Sequence, residues 1–107
     1  MANPWAGEVA LTVDGEPRVL KLTLGALAEL EAALQEDTLI GLIERFEARR
    51  FSSRDVLALV VAGLRGGGWT GQTADLLAAE IEGGPIEAAR VAGVLLVRAF
   101  QTSAVAG

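Results

Sequence analysis

Apolar positions alternate from Glu8 to Val13, with Val9, Leu11 and Val13 on one side, and again from Val19 to Leu22, where Leu20 and Leu22 share a side. The pattern predicts a β-hairpin over 7–22 that turns at Asp14-Gly15-Glu16-Pro17. Setting Leu11 opposite Leu20 and Val9 opposite Leu22 makes the apolar faces coincide, and this is the expected register. A two-stranded ribbon is not stable alone in water, so its oily face must rest on the helices that follow.

Beyond Leu22 the period changes from alternation to helical spacing. Thr23 is placed to cap a first helix over about 24–35, in which Leu24, Leu27, Leu30 and Leu34 recur while Glu29 and Gln35 point elsewhere. Asp37 or Thr38 can cap a second helix, with a stripe of Leu39, Ile43 and Phe46 and a polar side of Glu44, Arg45, Glu47, Arg49 and Arg50. Ser52 with Asp55 three positions on is a capping arrangement for a third helix. From Val56 to Leu64 that helix is apolar on nearly every side, which puts it in the middle of the fold.

Gly66-Gly67-Gly68 reads as its terminator. A fourth helix is expected over about 72–82, burying Leu77 and Ile81 and ending at Gly83-Gly84. Pro85 fits the first turn of a fifth, where its missing N–H costs nothing; there Ile86, Ala89, Leu95, Leu96 and Phe100 are expected to pack, leaving 102–107 as a tail. The resulting class is α+β and mostly α, an N-terminal β-hairpin packed on a helical bundle over 24–101, with 1–107 forming a single domain.

Composition narrows the function. The chain has 107 residues, 51% of them hydrophobic, enough to close one core. Its net charge of −5 repels phosphate backbones and anionic headgroups, so neither nucleic acid nor membrane is an expected partner. It has no histidine and no cysteine, which removes the commonest general base, the thiolate nucleophile and the best zinc ligands. No cofactor, metal or small-molecule substrate is expected. Met1–Gly7 has no basic-then-apolar leader pattern, and the longest apolar run is far short of the roughly 20 residues that span a bilayer, so a cytoplasmic location is expected.

The candidate sites each have a bland counterpart. Gly66-Gly67-Gly68-Trp69 lacks the preceding strand and following lysine of a phosphate loop, so it reads as a helix stop. Trp69, with Leu64 before the glycines, either anchors a partner or packs on its own core. Arg45, Arg49, Arg50 and Arg54 either clamp an acidic segment of a partner by forked hydrogen bonds or pair with nearby glutamates. The carboxylate pairs Glu29/Glu31, Glu36/Asp37 and Glu80/Glu82 fall on hydrophilic faces, which leaves a hydrolase without a cleft. A surplus of Leu, Val and Ala in so small a fold instead suggests apolar surface for self-association or for gripping an amphipathic helix.

The strings Gly7-Glu8-Val9-Ala10-Leu11, Val13-Asp14-Gly15-Glu16 and Leu22 to Glu31, then Phe51 to Val56, Leu64 to Gly68 and Gly83-Gly84-Pro85, carry a resemblance over nearly the whole chain. It resembles the small tail protein of gene transfer agents, the phage-like particles of alphaproteobacteria. The resemblance implies a role in building a long non-contractile tail, either as a tail assembly chaperone or as a tail tube component. A chaperone would hold the tape measure protein, in the bacterial cytoplasm, until tube protein polymerises around it; a tube component would remain in the particle's tail. A tube subunit needs sheet edges to pair between neighbours, and one hairpin offers few, so the chaperone is the favoured expectation.

Overall fold

In the computed structural model, strands β1 (Val9–Val13) and β2 (Glu16–Leu20) lead into helices α1 (Leu24–Leu34), α2 (Leu39–Glu47), α3 (Ser53–Gly66), α4 (Thr73–Leu77) and α5 (Gly84–Ala106). The structure describes residues 6–34 and 39–106, with Leu39 and 100–106 as backbone course alone. The expected caps Asp37 and Thr38, the Glu36/Asp37 pair and the packing of Phe100 lie outside what is described.

The hairpin forms where alternation places it, but in another register. Val9 pairs with Leu20, Leu11 with Arg18 and Val13 with Glu16, two residues away from the expected alignment. The cause is the turn. Asp14 at φ 51° and Gly15 at φ 78° both adopt positive φ, the pattern of a two-residue type I′ turn, so the strands close on Val13 and Glu16. A shift of two keeps every side chain on its own face, so Val9, Leu11, Val13 and Leu20 are still buried together. It also puts Pro17 at a pair whose backbone groups face outward, where a missing N–H breaks no ladder bond.

Helix α3 is the centre. Leu59 to Leu64 are all buried, as the all-round apolar run predicts, and α1, β2, α4 and α5 pack against α3. Its start is the expected capping box: Ser52 Oγ accepts from the Asp55 amide at 3.1 Å and the Asp55 carboxylate accepts from the Ser52 amide at 2.9 Å. At its other end the glycines do more than stop it. Gly66 is still helical and Gly67 is the C-cap; a Cβ on either would stand 1.9 Å from a backbone oxygen, of Lys21 and of Val19 respectively. The last turn of α3 thus lies directly on the backbone of β2, and Lys21 donates its N–H to the Gly63 carbonyl at 2.9 Å.

Expectations about four of the helices are corrected in part. Thr23 does cap α1, its Oγ1 accepting from Ala26 at 3.1 Å, and Leu27, Leu30 and Leu34 pack inward as expected, but Leu24 is exposed and Ala26 is buried in its stead. In α2, Ile43 and Phe46 of the expected stripe are partly buried against the core, while the fully buried residue among those described is Leu42. Helix α4 is one short turn that buries Leu76 and leaves Leu77 exposed, because residues 80–82 leave the helix to bond the outer edge of β1. There the Asp14 amide donates to the Glu80 carbonyl at 2.8 Å, Glu82 donates to the Thr12 carbonyl at 3.1 Å, and Val13 forms a β-bridge with Ile81. In α5, Val91, Ala92, Leu95 and Leu96 are buried while Ile86 is exposed, and the helical course continues past Thr102 to Ala106.

Candidate protein-binding surface

The four arginines singled out in the sequence serve different ends. Arg45 reaches from α2 to the start of α3 and grips Asp55 with both ends of its fork, Nη2 to Oδ1 at 2.9 Å and Nε to Oδ2 at 3.2 Å. Burial pushes the Asp55 carboxyl up, but the bonds from Arg45 and the Ser52 amide outweigh this and hold it below the usual carboxylate range. Asp55, the buried charged residue among those described, is therefore a structural joint between two helices. Arg54 donates to the Ala33 carbonyl at the end of α1 at 3.1 Å. Arg49 and Arg50 are exposed. Arg49 holds φ 57°, the left-handed conformation at which helices commonly terminate.

Leu64 is fully buried, and Trp69 is half-buried and packs on the core. Of the carboxylates, Glu29 pairs with Arg65 at 2.7 Å, tying α1 to α3, while Glu31, Glu80 and Glu82 are exposed. The described residues include no group of three His, Cys, Asp or Glu side chains that could hold a metal ion.

What the sequence pattern does not single out is an apolar band running across α2, α3, α4 and α5. Its first part is a groove of about 610 Å³ between the end of α2 and the outer side of α5, floored by Phe46, Phe51, Val94 and Val97. Phe46 and Phe51 stack with ring centroids 4.5 Å apart and planes 7° from parallel. Its second part, about 590 Å³, opens between α3, α4 and α5 over Val56, Leu57, Val60 and Ile81. Phe51 and Ala89 line both, so the two parts adjoin. Leu77 and Val97, 70% and 55% exposed, sit along it. The only sequence signal for the band is that helix-spaced apolar residues outnumber those one core accepts.

Both edges of the hairpin are partly covered. The β2 edge lies under the last turn of α3, and the β1 edge is bonded by residues 80–82 and by Arg98, whose guanidinium donates to the Glu8 carbonyl.

The described residues form a mostly helical α+β fold with a partly covered hairpin and apolar grooves at its surface. Residues 6–102 match the family described as phage tail tube protein, GTA-gp10, and the chain belongs to that family of phage and gene-transfer-agent tail proteins. No curated protein and no solved structure matches it. No helix among the described residues is long and apolar enough to cross a membrane.

Proposed function

We propose that this tail protein is an assembly chaperone, which covers apolar helical segments of the tape measure protein until tube protein closes around them. The observation that carries this reading is the pair of adjoining apolar grooves over α2 to α5, combined with a hairpin whose edges are partly covered. An amphipathic helix laid on such a band buries its own apolar stripe. Ring stacking through strand pairing, by contrast, has little open edge to work with here.

Co-expression of the full chain with fragments of the tape measure protein tests the reading. The expected result is a fragment kept soluble and eluting with the chain on a sizing column. A fragment that stays insoluble, with no complex at any ratio, refutes it. The family's description as tube protein favours a second reading, a structural component of the tail. Mass spectrometry of purified particles separates the two: a structural component is present in stoichiometric copies, whereas a chaperone is absent.

A further inference from the structure

Two residues of the α2–α5 groove run against the local preference of their positions. Arg49 occupies the left-handed conformation at φ 57° just after α2, where glycine or asparagine is the usual choice. Gly93 sits inside α5, where glycine weakens a helix relative to alanine. Nothing within the chain requires it, because a Cβ there would meet Phe46 Cδ2 at 3.8 Å, an ordinary contact. Both residues line the same groove. Local choices that cost stability without a return inside the fold are expected where something outside the fold uses them.

The groove also has a sign. Its floor is apolar, and its lining includes three arginines, Arg49, Arg90 and Arg98, against one glutamate, Glu47, in a chain whose net charge is −5. Arg90 is forked onto Glu87 at 2.6 and 2.8 Å and Arg98 donates to the Glu8 carbonyl, which leaves exposed Arg49 as the arginine best placed to meet an incoming carboxylate. A second copy of this chain is a poor occupant. A two-fold contact through this face would set arginine against arginine, and α1, with Glu29 and Glu31, already buries its Ala26 and Leu30 at home.

We infer that the α2–α5 groove receives an amphipathic helix of another polypeptide whose apolar stripe is flanked by carboxylates. The stripe lies on Phe46, Phe51 and Val97, the carboxylates meet Arg49 and its neighbours, and Gly93 lets the incoming helix approach closely. The identity of that polypeptide rests on the chaperone reading; the chemistry of the groove does not.

Two synthetic helical peptides with one leucine stripe, flanked in one by Glu and in the other by Lys, test it by fluorescence anisotropy on the full chain. The Glu peptide is expected to bind about tenfold more tightly, and the gap to close in high salt. Arg49→Gly should raise the thermal midpoint by about 4 °C yet weaken the Glu peptide about fivefold, and Gly93→Ala should likewise raise the midpoint. Val97→Asp should weaken the Glu peptide more than tenfold.

Equal binding of the two peptides, or affinity untouched by Arg49→Gly and Val97→Asp, overturns the inference. So does a dimer, seen by sedimentation, that these two substitutions dissolve, since the groove then belongs to a second copy. If the Glu peptide behaves as expected but no tape measure fragment co-purifies, the groove stands and the partner falls. If fragments co-purify undiminished with Val97→Asp, the chaperone stands and this groove falls.

Discussion

Gly67→Ala and Gly66→Ala are each expected to lower stability by about 3 kcal/mol or more, at the upper end of overpacking effects. At Gly67 the cause is not conformational freedom, since its φ of −86° suits any residue. It is what a methyl group would strike: the Val19 carbonyl oxygen at 1.9 Å and its carbon at 2.9 Å, with the Lys21 oxygen at 1.9 Å from the same addition at Gly66. A flexible side chain could swing away, but a strand backbone cannot move without lifting the hairpin off α3. Gly68 provides the control. A Cβ there meets nothing within 4 Å, so Gly68→Ala carries only the strain of φ +103°, about 1 kcal/mol. Urea midpoints at unchanged slope measure all three. A cost at Gly66 and Gly67 no greater than at Gly68 would show that α3 does not lie on the strand this closely.

Asp55→Ala is expected to cost about 3 kcal/mol, because it removes half of a capping box and strands Arg45 at a largely enclosed joint. The Asp55 side chain is 7% exposed and Arg45 27%, so the loss falls toward the low end of the range for breaking a buried pair. The pH dependence follows from the same bonds. The folded carboxyl titrates below its unfolded value, so its contribution is fully present above about pH 4, the ordinary range. It is lost as pH falls through the folded value. Stability of the native chain should therefore decline more steeply below about pH 4 than that of Asp55→Ala. Parallel acid limbs for the two proteins would mean that Asp55 is not the group being titrated.

Signals confined to a few neighbouring residues were legible. Ser52 and Asp55 form the box their spacing suggests, Thr23 caps α1, and Val56 to Leu64 is a central helix. The hairpin was legible in face but not in register, since alternation is unchanged by a shift of two and only the tight Asp14-Gly15 turn separates the alternatives. Leu77 looked inward by spacing, yet it is Leu76 that is buried, because the chain leaves α4 to satisfy the edge of β1. The arginine cluster was visible as a cluster, but the fate of each member was not: Arg45 finds a carboxylate ten residues away and Arg54 a carbonyl 21 residues away.

The sequence by itself determined the order and type of the described elements, the caps at Thr23 and Ser52 and the central place of α3, because these depend on periodicity and short-range bonding, while the family was legible as a resemblance carried by strings along the chain. Only the tertiary structure decided which glycines are spacers, which arginine is a strut and where apolar surface remains bare. Those outcomes depend on which groups meet across long stretches of chain. A bare groove is what is left after every element has chosen its neighbour, and no window of sequence contains that choice.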